Sequence, residues 1–132
     1  MQDNLGALAL GLMLGGMGLF TFMIAPLAFR LLPADMAGRF VRGTFPWYYA
    51  FTIGCGAFAM IGCVGHGPVS SKIMAVVTIL AIVQRQVLMP RINAARDAGE
   101  AAKRRFGWLH GGAVAINFGQ ILATVAAVIV YV

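Results

Sequence analysis

Four apolar stretches, each close to the length that crosses a lipid bilayer, decide what this chain can fold into. They run from about Leu5 to Phe29, Phe45 to Val64, Val69 to Met89 and Phe106 to Val132. An α-helix rises 1.5 Å per residue, so about 20 apolar residues span a hydrocarbon core about 30 Å thick. Composition agrees. Hydrophobic residues make up 61% of the chain and charged residues 11%, against roughly 25% charged in a soluble domain. A small soluble fold with so few charges would expose apolar patches far beyond what a monomer tolerates in water. The expectation is an all-α, four-helix transmembrane bundle forming one domain over residues 1–132, with helices at about 5–31, 45–64, 69–95 and 106–131. The first stretch reads as a span rather than a signal peptide, because it lacks a basic leading region and its apolar run is too long.

The charges between the stretches suggest an orientation. Arg39 and Arg42 lie in the connection from Leu32 to Thr44, just after Arg30, and Arg91, Arg96, Lys103, Arg104 and Arg105 lie in the connection from Arg91 to Arg105. The middle connection, Gly65 to Ser71, is a tight turn marked by Gly65, Gly67 and Pro68. Basic residues collect on the cytoplasmic side of membrane helices. Both termini and the middle turn are therefore expected on the non-cytoplasmic side, and Asp3 in a tail without basic residues agrees. In a bacterium this is the inner membrane. The net charge of +6 then fits anionic lipid headgroups. It does not fit nucleic acid, because no basic helix with interleaved aromatics is free to enter a groove. The third helix is expected to continue past the membrane and turn near Gly99 or Gly107, with Pro90 kinking or capping it.

Polar residues inside a span mark its interior face. In the fourth stretch these are His110, Asn117, Gln120 and Thr124. At 100° per residue, Asn117, Gln120 and Thr124 lie within about 20°, 80° and 40° of His110, so all four share one stripe. Such a stripe either serves a ligand path or bonds helices together as polar glue. Gln84 and Arg85 in the third stretch are possible partners. Arg85 either snorkels to the headgroups or turns inward to meet the seam. Gly11 and Gly15, with Gly18 near the same face, allow close helix packing within the bundle or against a partner.

Chemistry is sparse. No carboxylate lies inside a span, and no Ser/His/Asp set or carboxylate pair stands out, so neither an ion-coupled relay nor an enzyme is expected. Cys55 and Cys63 are eight residues apart, about 12 Å along a helix, too far for a disulfide. Cys63 with His66 and the eight methionines supply soft donors without the clustering a metal site needs. No metal or cofactor is expected, haem at His110 being the weaker alternative.

Three segments carry a resemblance: Phe45-Pro46-Trp47-Tyr48-Tyr49, then Met89-Pro90-Arg91-Ile92-Asn93-Ala94-Ala95-Arg96, and Phe106 with His110, Gly111 and Asn117. In order and spacing, over nearly the whole chain, they resemble the transmembrane protein 205-like family of small four-helix membrane proteins of unknown function. The chain departs from that pattern at Gly112 and Ala113, where the resemblance implies a serine. A vertebrate member of that family is linked with tolerance to platinum drugs, which implies transport, trafficking or metal handling rather than catalysis. Two roles are thus expected: a non-enzymatic accessory or assembly subunit bound to other membrane proteins, or a small transport or metal- and drug-tolerance protein using the polar seam.

Overall fold

The computed structural model describes residues 2–132, and side chains from residue 4 onward. Met1 and the Asp3 side chain, to which the sequence assigned an outer location, lie outside the described residues. Four helices run up, down, up and down. We label them α1 (residues 2–31), α2 (Ala34–Gly62), α3 (Pro68–Asp97) and α4 (Lys103–Tyr131). No strand occurs among the described residues. Each helix packs on its neighbours in sequence, and α1 closes the ring against α4.

α1, α3 and α4 belong to helices long and apolar enough to cross a membrane. α2 is as long as α4, 29 residues, but less apolar. Its lipid-length part opens with Pro46, Trp47, Tyr48 and Tyr49 and carries three further glycines. It also begins eleven residues earlier than the expected helix start at 45: residues 34–44 are helical rather than a connection. The reason is visible in its buried face. Ala37, Val41, Tyr48, Thr52, Gly56 and Ala59 are buried, which continues one helical stripe through the basic segment. Asp35 sits in the first turn, where a carboxylate favours the helix dipole.

The outer surface is greasy. Leu8, Phe22, Trp47, Ile61, Leu122 and Ile129 are all exposed, Trp47 to 78%. Inside lies a core built from Leu10, Met13, Met17, Tyr48, Met74, Val77 and Ile121. Burial inside and apolar exposure outside together match a lipid solvent.

The two ends of the bundle differ. At the end bearing the α2–α3 turn, backbones touch. A methyl group on Gly6 would fall 2.9 Å from the Gly62 carbonyl oxygen, and one on Gly67 would fall 2.6 Å from the Tyr131 ring. Ser70 Oγ donates to the Ala127 carbonyl at 2.7 Å, and Ser71 Oγ to that of Met60 at 2.7 Å. Toward the basic end, α1 and α3 each contain a π-helical turn, Phe20–Ile24 and Gln84–Leu88. Ala25 N–H bonds to the Phe20 carbonyl and Met89 N–H to that of Gln84. Each turn ends two residues before a proline, Pro26 or Pro90. Proline has no N–H and its ring crowds the carbonyl four residues back, so local widening relieves both. Beyond its π turn, Ala25–Leu31 packs mainly on α2. The α3–α4 reversal falls at Gly99, whose φ of 68° is the left-handed conformation glycine adopts freely.

The close approach expected of Gly11, Gly15 and Gly18 is not made within the bundle. Nothing lies within 4 Å of a methyl group placed on any of them. Gly6 makes the close contact instead, and the three expected glycines look outward. Replacing Gly6 by Ala is therefore predicted to destabilise the bundle by about 1–3 kcal/mol. Gly11→Ala is predicted to leave stability unchanged or raise it by up to about 1 kcal/mol. Denaturant unfolding in detergent reads both, and equal losses at the two positions would contradict the packing described.

A polar-floored cavity at the basic end

The polar stripe of α4 divides into parts with different partners. Gln120 is buried and donates through Nε2 to the Val77 carbonyl on α3 at 3.1 Å. Thr124 is buried and turns back to the Gln120 carbonyl of its own helix at 2.8 Å. Gln84 is fully buried in the π turn of α3 and reaches the Ala113 carbonyl at 3.4 Å. Gln84 and Gln120 thus join α3 to α4 as polar glue. The Gln84 Oε1 atom is buried without a partner.

Asn117 does something else. Its Oδ1 accepts the Tyr48 hydroxyl hydrogen at 2.6 Å, and its Nδ2 donates to Thr21 Oγ1 at 2.9 Å. Three side chains from α2, α4 and α1 therefore form one hydrogen-bonded chain. They meet beside the first π turn, which contains Thr21. This chain forms the inner floor of a cavity of about 340 Å³ that extends toward the basic end. Its walls are aromatic. Phe20 stacks on Tyr48 with ring centroids 4.3 Å apart, and Phe45 stacks on Tyr49 at 5.7 Å. Ala25 and Phe29 of α1 face Val114 and Phe118 of α4 across the space. The gap follows from the course of α1, whose last two turns follow α2.

The rim is polar and basic, with Arg42, Asn93, Arg96 and His110 among its residues. Arg42 grips Asp97 through both guanidinium nitrogens, at 2.8 and 2.9 Å, the bidentate geometry that suits Arg and carboxylate. Arg96 is exposed and has no carboxylate bond. It donates to the Gly38 carbonyl at 3.4 Å and stands over the Phe106 ring, 5.4 Å from its centroid. One carboxylate faces two guanidinium groups, so the rim keeps an excess of positive charge.

Several expectations change here. His110 lines the cavity at its exposed rim, stacked on Phe106 at 5.5 Å, and does not share the buried partners of Gln120 and Thr124. Arg85 does turn inward, but it meets the Pro46 carbonyl of α2 at 3.3 Å rather than the Asn117–His110 seam. Of the motif residues, Phe45, Tyr48, Tyr49, Met89, Ile92, Asn93, Arg96, Phe106, His110 and Asn117 line the cavity. Trp47 and Arg91 are exposed, and Pro90 follows the second π turn. Gly111 lines a separate shallow groove with Arg104, Gly107, Trp108 and Gly112. Thr21, Arg42 and Arg96 were not singled out as site residues. Their available signal was position: Thr21 precedes Pro26 by five residues, and Arg96 closes the proline motif of α3. Among the described residues, Cys55 and Cys63 are free thiols, and no group of three His, Cys, Asp or Glu could hold a metal ion.

The class this defines is a small all-helical protein with membrane-length apolar helices and a polar-floored cavity at its basic end. The chain belongs to the family described as "Domain of unknown function (DUF4149)", which matches residues 8–101. The match takes in the α1, α2 and α3 walls of the cavity. A relative from Aquifex aeolicus (strain VF5), named "Uncharacterized protein", is 22% identical over 132 residues, covering 100% of this chain and 98% of the relative. No solved structure matches the chain.

The hydrogen-bonded chain and the glue residues should respond differently to substitution. Asn117→Leu leaves both the Tyr48 and Thr21 hydroxyls without their partner and is predicted to lower stability by about 0.6–1.7 kcal/mol, from the average to the maximum for hydrogen bonds between membrane helices. Gln84→Met removes the unpartnered oxygen along with a long hydrogen bond, and is predicted to be neutral or stabilising. Unfolding titrations of both variants check the contrast. A larger loss from Gln84→Met would contradict it.

Proposed function

We propose that this chain is a non-enzymatic membrane protein of four spans that holds a small, largely apolar molecule in the cavity at its basic end. It would act as a small transport or tolerance protein. The observation that carries this reading is the convergence of the three sequence motifs on one cavity, with aromatic walls and a hydrogen-bonded floor. Ligand sites are typically concave and apolar, with a few placed polar groups, and span about 300–1,000 Å³; a cavity of about 340 Å³ is at the small end. α2 is the fourth crossing in this reading, since both its neighbours are membrane-length helices. The basic ends lie in the cytoplasm by the charge rule, with both termini outside. The resemblance to the transmembrane protein 205-like family, and through it to platinum tolerance, points the same way.

The second reading, an accessory or assembly subunit, is favoured by a different observation. Gly11 and Gly15 on α1, and Gly107, Gly111 and Gly119 on α4, face outward with open space at each. Such faces allow another helix to approach closely.

A photoreactive probe separates the readings. The protein in lipid nanodiscs is irradiated with a diazirine-labelled dodecanol, and crosslinks are mapped by mass spectrometry. Crosslinks should concentrate on Phe29, Ile92 and Val114, and the cavity-filling change Val114→Trp should suppress those on Phe29 and Ile92. Crosslinks spread evenly over the lipid-facing surface, and unaffected by Val114→Trp, would overturn the cavity reading.

A further inference from the structure

The rim has features that its role as an apolar pocket does not require. Two arginines stand at the mouth, and their states differ. Arg42 is neutralised by Asp97, which itself lies outside the cavity lining. Arg96 is held by a carbonyl and an aromatic face, interactions that fix the guanidinium without cancelling its charge. Its remaining N–H groups can donate to a ligand, since guanidinium carries five. Asn93 precedes it by three residues, on the same face of α3, and also lines the cavity. His110 completes this edge from α4.

From these observations we infer that the molecule in the cavity is a single-chain anionic amphiphile, whose carboxylate or phosphate head sits at Arg96 and Asn93. Its chain runs inward along Phe29, Phe45 and Val114 toward the Tyr48–Asn117–Thr21 floor. The inference rests on the cavity reading above and adds the chemical class of the ligand. Charge assigns the head. The rim carries net positive charge beside an apolar interior, so an anion gains at the mouth what a cation or a neutral head would not. Placement at a lipid boundary strengthens this, because charge attraction grows where water is excluded. Size assigns the chain. About 340 Å³ suits one acyl chain and not the two chains of a phospholipid. The floor adds a length limit. The hydroxyls and amide of Tyr48, Asn117 and Thr21 are engaged with one another, so the chain's end meets a closed polar layer and not a through-passage.

The test is competition against the diazirine-labelled dodecanol in nanodiscs. Unlabelled dodecanoate, dodecyl phosphate and dodecanol are compared as competitors, for the natural protein and for Arg96→Gln and Arg91→Gln. One or both anions should compete about tenfold more strongly than dodecanol, the effect of one charge-assisted hydrogen bond. Preference for dodecanoate over dodecyl phosphate assigns a fatty-acid-like ligand, and the reverse a phosphate-headed one. Arg96→Gln should bring the anions to the level of dodecanol. Arg91, exposed and outside the lining, controls for general surface charge, and its variant should keep the preference. Equal competition by all three molecules overturns the anionic inference while the cavity reading stands. A preference that survives Arg96→Gln overturns the assignment of the head. No probe in the cavity at all overturns both.

Discussion

A chain of three side chains, Thr21 to Asn117 to Tyr48, ties α1, α4 and α2 together at one level. A polar group left alone in hydrocarbon is costly, so each helix must be turned to bring its member to this point. Fixing the rotation of three helices fixes much else. It sets Phe20 against Tyr48, sends the Gln120 amide toward α3 and leaves Trp47 and Trp108 facing outward, each more than three-quarters exposed. The same level is where the bundle changes character.

On one side of it, small residues let the backbones close. Gly6 meets Gly62, Gly67 meets Tyr131, and a methyl group on Gly56 would collide with Thr78. Serine and threonine hydroxyls there bond to carbonyls nearby, which satisfies them without opening the interior. On the other side, prolines act. Pro26 and Pro90 each follow a π turn, and beyond the first of these α1 packs mainly on α2. The result is a bundle closed at its glycine end and hollow at its proline end. Basic residues collect at the hollow end, and Arg42 and Arg96 among them supply its rim.

The long apolar helices were legible because hydropathy and length point to them, and α1, α3 and α4 appear where composition put them. The start of α2 was not. Gly38, Arg39, Arg42 and Gly43 look like a loop by composition, although Ala37, Val41, Tyr48 and Thr52 already carried the helical period through it. Direction of packing was harder still. Gly11 and Gly6 are equally small, and only the partner helix decides which of them faces Gly62. The α4 stripe was legible as a stripe, but spacing on one helix cannot say which neighbour each residue meets. Gln120 turned out to join α3, while Asn117 found Thr21, a lone hydroxyl in an apolar run that gave no sign of its partner. The three motifs were visible as segments. Their convergence on one cavity depends on the splay after Pro26, which is a property of the whole bundle.

The family's description is open as to function, and its match stops at residue 101, short of the helix that carries His110 and Asn117. The asymmetry between a hollow basic end and a closed far end is therefore the feature on which any role of the cavity depends. Single cysteines in a protein with Cys55 and Cys63 replaced by alanine measure it directly. A charged thiol reagent applied from the basic side should modify Asn93→Cys and His110→Cys, while Thr124→Cys and Ala127→Cys stay unreactive from either side. Modification at 124 or 127 would show a polar path through the whole bundle, and protection at 93 and 110 would show no cavity; either result contradicts the account.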